Sequence, residues 1–366
     1  MTVATLADRI SRADSDRIKT LIIGAGVAGL TLAALMRQRG EFPIIIERWA
    51  DWISGGYMLG LYPIGSRVLH GLGLYEQYLS QSVTMNQYQV CDGHGSVIQS
   101  YDLQRLTQRF GPMQGIERST LVELLTEGVK DLPIHTETTV ESLESQDDKV
   151  TATFSDGTSA NFDLVVGADG LHSNTRSMIL DAGEYNYWDS KWGGWVFWAD
   201  ASLAPSDVYT ECWGAGHFVG LYPTKNQIGV FVGGPLETIN QMGKSGFIEH
   251  VQSQFGASAE PIPQVLKTAL DEQDSFFWSF HDCRSHHWRN GRVILLGDAA
   301  AGFLPTAGVG ASMAMESAAA LSDELSRTNA ERVEQALDLY EKRHRRRVEE
   351  AQKNSRELAR IMFVQS

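Results

Sequence analysis

Cysteine is scarce in this chain: only Cys91, Cys212 and Cys283 occur in 366 residues, far apart and without a C-x-x-C pair. A disulfide framework or a cysteine zinc site is therefore not expected. Basic side chains are also in deficit, 31 against 45 acidic, for a formal charge of -14. Such a balance lacks the clustered basic surface that a nucleic-acid partner needs. No apolar stretch reaches the roughly 20 residues of a membrane helix, so no integral membrane segment is expected. The first 19 residues mix Arg9, Arg12, Arg17 and Lys19 with Asp8, Asp14 and Asp16. They read as a short polar extension, not a signal or transit peptide, and a cytoplasmic location is expected. The segment 281–287 holds three histidines, yet consecutive strand residues face opposite sides, and no metal site is expected there. The basic run 342–347 stands beside Glu349 and Glu350 and reads as a solvated helix face.

The chain exceeds the roughly 250–300 residues at which single cores stop growing, so two domains are expected. An apolar run over 19–23 leads into Gly24-x-Gly26-x-x-Gly29. Leucines at 30, 32 and 35 then continue at helical spacing, and Gly40 closes the helix. A second apolar run over 43–46 ends at Glu47. This is β-α-β in under 30 residues with an acidic residue at the end of its second strand. In such a unit the first glycine permits a tight turn and the second lets backbone N–H groups approach a pyrophosphate. The third lets helix and strand pack, and the carboxylate accepts from a ribose diol.

Further along, 85–91 with 96–102 and 150–154 with 159–166 read as hairpins, and 118–130 as a core-facing helix. Between about 185 and 285 short strands alternate with Gly, Asn and Pro turns, and five tryptophans fall within 188–213. That texture predicts an antiparallel second domain inserted into the first. The run 292–296 returns to buried-strand composition before Gly297-Asp298, and 311–362 is mostly helical with a break near 327–329. In the inserted region, alternation puts Trp192, Val196 and Trp198 on one strand face and Trp195 and Phe197 on the other. A later strand puts His217, Val219 and Leu221 opposite Phe218, Gly220 and Tyr222. The sequence does not say which face is functional.

Two segments narrow the nucleotide: Asp163-Leu-Val-Val-Gly-Ala-Asp-Gly170, followed by Ser173 and Arg176, and Gly297-Asp298, continuing through Pro305, Gly308 and Gly310 to Ser312. With the first glycine motif, and with Arg118-x-x-Leu121, the chain resembles the single-component (class A) FAD-dependent monooxygenases, the para-hydroxybenzoate hydroxylase-like family. The resemblance covers nearly the whole chain. It implies an α/β fold: a Rossmann-like (GR2-type) FAD-binding domain, an inserted antiparallel β-sheet substrate domain and C-terminal helices. The boundaries expected are 1–84, 104–180 and 286–366 for the FAD domain and 85–103 and 181–285 for the substrate domain.

The resemblance further implies FAD held by Gly24, Gly26, Val27, Ala28, Gly29, Glu47, Arg48, Arg118, Asp169 and Gly170, together with Gly297, Asp298, Pro305, Gly308, Val309, Gly310, Ala311 and Ser312. Read from the residues alone, Asp298 has a helix N-cap as its lesser alternative, disfavoured by the Pro-x-x-Gly-x-Gly continuation. NADH or NADPH would donate electrons, and a C4a-(hydro)peroxyflavin would hydroxylate or epoxidise a small hydrophobic, aromatic or polycyclic substrate with O2. Substrate candidates are Trp198, Trp213, His217, Phe218, Tyr222 and Phe231. No catalytic residue is certain, and His217 is the candidate acid or base. The chain departs from the family at Ala301 and Ser312, where many members carry His and Asn. The halogenase Trp-x-Trp-x-Ile-Pro motif is absent. A flavin reductase of an isoprenoid- or quinone-like compound and a non-catalytic flavin-binding partner stay open as alternatives, as do a monomer and a homodimer.

Overall fold

The structure, a computed structural model, describes residues 6–256, 259–271 and 275–363. Thr20–Ile23, Ile44–Ile46 and Leu164–Gly167 are buried at every position, which is what parallel strands covered on both faces require. They lie centrally in a six-stranded sheet of order Ile134–His135, Ile44–Ile46, Thr20–Ile23, Leu164–Gly167, Val293–Leu295, Arg289–Asn290. Only the last pairing is antiparallel. Helices Val27–Gln38, Arg118–Glu127 and Gly310–Ser326 bury their apolar faces against it.

Two local expectations are corrected. The segment 159–166 is not one strand of a hairpin. Ser159–Phe162 pairs with Val150–Phe154, and then the chain changes sheets at Asp163. Asp163 fixes that switch, accepting from the Lys19 N–H at 2.7 Å and from the Lys149 ammonium at 2.5 Å. The polar start of the chain also forms a helix, Leu6–Ala13, because Leu6 and Ala13 are buried beneath the central sheet.

The second sheet has seven strands, in order Phe276–Ser285, Tyr185–Asp200, Gln227–Pro235, His217–Pro223, Val208–Gly214, Gln87–Asp92, Val97–Asp102. Five of its six pairings are antiparallel. The exception is Gln87–Asp92, which arrives from the earlier chain segment and runs parallel to Val208–Gly214. One face is covered by helices Leu236–Gln254 and Ile262–Asp271, which bury Phe197, Val219, Leu221 and Val230. The other face looks back at the first sheet across a small sheet of Met58–Leu61, Gln114–Glu117 and Val83–Thr84.

The last helix, Val333–Met362, ties the two sheets together. Gln352 donates to the carbonyls of Cys283 (2.9 Å) and Gly302 (2.6 Å). Arg356 makes a two-pronged pair with Asp282 at 2.5 and 2.7 Å. Asp282 is almost wholly buried, so losing this partner leaves an uncompensated charge and costs about 3–5 kcal/mol. Among the described residues, no helix is long and apolar enough to cross a membrane.

Candidate active site

The three glycines of the first motif have different surroundings. Gly24 turns at φ +107°, and a Cβ there would lie 2.5 Å from the Ala168 carbonyl oxygen. A Cβ on Gly29 would lie 2.0 Å from the carbonyl oxygen of Gly24. Both positions are dictated by the fold itself. At Gly26 nothing lies within 4 Å of the same point. That open space is at the N-terminus of Val27–Gln38, whose first N–H groups have no intrahelical acceptor, so it suits a phosphate. Glu47 closes one side: its carboxylate accepts from the N–H of Ala25 at 2.9 Å and of Trp49 at 3.1 Å. The cleft so formed holds about 230 Å³ and is lined by Gly26, Glu47, Arg48, Arg118, Asp169 and Gly170 among others.

The other two motifs converge on this loop. Gly297, at φ +61°, leaves only 2.8 Å between an added Cβ and the Cβ of Ala28. Asp298 opens the helix Asp298–Ala301, and burial pushes its carboxyl up to about 6 against the opposing pull of the Arg176 charge. Asp169 is spent within its own loop, accepting from Ser173 Oγ at 2.5 Å and from Thr175 N–H and Oγ1 at 3.0 Å. Arg176, fully buried, donates to the carbonyls of Ala299 (2.9 Å) and Leu171 (2.5 Å) and to the Tyr187 hydroxyl. It therefore clamps the second motif to the third. The turn Pro305–Ala307 ends in Gly308 at φ +60°, and Gly310–Ser326 follows, one residue earlier than expected. Val309 and Ala311 are half-buried against the main core, and Ser312 Oγ accepts from the Tyr62 N–H at 3.0 Å.

A family profile described as "FAD binding domain" matches residues 17–355. The chain belongs to that FAD-binding family. It is 32% identical over 358 residues to the 3-amino-4-hydroxybenzoate 2-monooxygenase of Streptomyces cremeus, covering 93% of this chain and 87% of the relative. It is 27% identical over 324 residues to a flavin-dependent monooxygenase of Legionella longbeachae, covering 86% and 82%. Among solved structures it resembles Klebsiella pneumoniae HpxO complexed with FAD and uric acid: TM-score 0.82, 26% identity, covering 94% and 88%. This is an FAD-dependent monooxygenase of the aromatic hydroxylase family, with the Rossmann-like fold and inserted sheet that the motifs implied.

In this flavoprotein the face of the seven-stranded sheet that looks towards the FAD loops is aromatic. Phe218 and Phe231 lie 5.6 Å apart and Phe231 and Phe280 5.0 Å apart, with Trp213 and Tyr222 beside them. Trp198 shares that face, half-buried opposite Gly229 of the neighbouring strand. Part of the face is already covered by the end of the last helix, since Phe363 stacks on Trp192 at 4.8 Å and on Phe280 at 5.5 Å. His217 is not brought there. It points to the opposite face, where its Nε2 meets the Gly93 carbonyl oxygen at 3.0 Å and its ring packs edge-on against Phe255. Burial holds its pKa below the ordinary value.

Several residues without any sequence motif stand between the face and the FAD loops. Tyr57 packs on Trp278 at 4.8 Å, and its hydroxyl feels the charges of both Asp298 and Arg118. Tyr62 donates to the Ala307 carbonyl at 3.2 Å, and its pKa is pushed up to about 12 by burial and by the charge of Glu211. Glu211 itself is buried on the aromatic face. One signal for it was available: an acidic residue on the same strand face as Tyr209 and Trp213, at a spacing of two.

Proposed function

We propose that this monooxygenase takes electrons from NADH or NADPH and uses O2 to hydroxylate or epoxidise a small hydrophobic, aromatic or polycyclic molecule seated on the aromatic face. The observation that carries this reading is the shared boundary. The strand Met58–Leu61 and Tyr62 touch Tyr209 and the face on one side and the Ala307–Ser312 segment on the other. In this reading residues 1–84, 104–180 and 286–366 serve FAD, and 85–103 and 181–285 serve the substrate.

FAD, when bound, supplies the two-electron and oxygen chemistry. The chain's own residues bind, orient and exclude water. The N–H groups around Gly26 to Gly29 would take the pyrophosphate, Glu47 a ribose diol, and Gly297-Asp298 the ribityl and phosphate end. Pro305 and the segment Gly308–Ser312 would flank the ring, with the N-terminal dipole of Gly310–Ser326 directed at its more electron-rich edge. Phe218, Phe231, Tyr222, Trp213 and Trp198 would wall the substrate. Trp192, Phe280 and Phe363 would close the far side against water, since the oxygen chemistry is wasted when solvent enters. His217 has no part in it.

The test is turnover of the purified FAD-loaded protein with an aromatic panel and isotopically labelled O2. Substrate-stimulated NADH or NADPH oxidation with one labelled atom in the product is the expected result. Turnover without label would make the protein a reductase. FAD binding without nicotinamide oxidation across the panel would leave it a non-catalytic flavin holder.

A further inference from the structure

Glu211 is a buried carboxylate with no cationic partner among the described residues. Its Oε2 accepts from the Tyr88 hydroxyl at 2.5 Å and the Trp213 indole N–H at 3.1 Å, and its Oε1 accepts from the Tyr222 hydroxyl at 2.8 Å. A carboxylate offers about four acceptor positions, so one remains on Oε1. Its placement joins the two halves of the site. Tyr222 belongs both to the aromatic face and to the cluster of Tyr62, Tyr88 and Tyr209. Tyr62 in turn holds the Ala307–Ser312 segment.

A second polar atom in this cluster is also free. Tyr209 is nine-tenths buried and packs edge-on against Tyr222 at 5.3 Å, yet its hydroxyl has no hydrogen-bond partner among the described residues. Stability alone does not account for such a group. An apolar set of the same shape is often as stable as a buried charge with its donors, and an unpartnered buried hydroxyl costs free energy. Burial pushes the Glu211 carboxyl above its ordinary value, while the Tyr88, Tyr222 and Trp213 donors pull it down, and a carboxyl so perturbed beside an aromatic face marks a candidate ligand site.

We propose that Glu211 is the specificity-determining acceptor of the substrate site. It accepts a hydrogen bond from an O–H or N–H group on a neutral aromatic ligand, and when ionised it repels ligands that present a carboxylate at that end. This deepens the monooxygenase reading and rests on it. The two select in opposite directions: the aromatic face admits any flat apolar ring, and Glu211 sorts those rings by the group they carry.

The experiment uses the FAD-loaded full chain and four probes of one ring size: 2-naphthol, 2-naphthylamine, naphthalene and 2-naphthoate. Binding is read from the perturbation of the flavin absorbance. The naphthol and naphthylamine are expected to bind at least tenfold more tightly than naphthalene, with 2-naphthoate weakest. In Glu211→Gln the preference for the two donors over naphthalene falls at least tenfold and the discrimination against 2-naphthoate disappears. In Tyr88→Phe, which disturbs the same cluster but keeps the carboxylate, both preferences persist. FAD content and melting temperature are followed in each variant. A wild-type protein that holds FAD but ranks the four probes equally overturns the proposal and leaves the monooxygenase reading standing. Equal loss of preference in both variants overturns it too. A wild-type protein that binds no FAD overturns the monooxygenase reading itself.

Discussion

Around the six-stranded sheet the main chain sets the turns of the site, with the N–H groups after Gly26, the bend at Gly297 and the turn at Gly308, while side chains such as Glu47, Arg48 and Arg118 line the cleft. In the seven-stranded sheet the corresponding groups are side chains: Phe218, Phe231, Trp213, Tyr222 and Glu211. The first region offers a fixed geometry to a ligand that is the same in every family member. The second offers a surface whose chemistry can change by substitution without disturbing a turn. One molecule thus separates a main-chain task from a side-chain task, and Tyr57, Tyr62 and the last helix are among the contacts that join them.

Substitutions in one region at a time break or sharpen this contrast. Trp192→Ala removes the ring stacked on Phe363 and is expected to cost about 3–5 kcal/mol of stability. Urea denaturation measures it, and the loss should come without altered FAD affinity in the protein that stays folded. Gly29→Ala places a methyl 2.0 Å from the Gly24 carbonyl oxygen and should cost about 3 kcal/mol, with loss of FAD. Gly26→Ala is its counterpart. The methyl meets nothing in the folded chain, so stability without FAD should hold while FAD affinity, measured by equilibrium dialysis, falls at least tenfold.

Asp298 separates the regions by pH. Its folded value of about 6 stands above the ordinary 3.8, so folding favours the protonated form. The resulting destabilisation appears as pH rises from about 4 to 6 and is complete above that. Asp298→Asn should therefore stabilise the FAD-free protein by about 1–3 kcal/mol at pH 7.5 and leave it unchanged at pH 4, as read by thermal unfolding. Holo-protein should meanwhile retain less FAD. The smallest effect belongs to His217. Its folded pKa lies below 6.5, so the unfolded chain takes up the proton first and stability is lost as pH falls below that value. His217→Gln should remove that acid sensitivity, shift stability at pH 7.5 by about 1 kcal/mol, and leave turnover intact. A loss of turnover beyond tenfold would return His217 to the reacting centre.

The nucleotide side was legible because its signals are local. Gly24, Gly26 and Gly29 follow a buried strand and open a helix, and each constraint acts within a few residues of itself. The convergence of the later motifs was implied by the family resemblance, and the structure brings Gly297 against Ala28. Details failed where a local pattern met a tertiary demand. The run 159–166 reads as one strand, but Asp163 is claimed by Lys19 and Lys149, and the chain crosses between sheets there. Strand alternation sorted Phe218 and Tyr222 from His217 correctly, yet it carries no information about which side meets the flavin loops.

The amino-acid sequence by itself determined the β-α-β unit, its glycines, the buried strands and the two-faced pattern of the inserted sheet. Each of these is set by sterics or burial acting along neighbouring residues. The tertiary structure alone decided that the face carrying Phe218 looks at Tyr62, that Arg176 clamps Ala299, and that Glu211 is enclosed by Tyr88, Trp213 and Tyr222. Those outcomes depend on which helices cover which side of a sheet, a balance of buried area summed over distant segments.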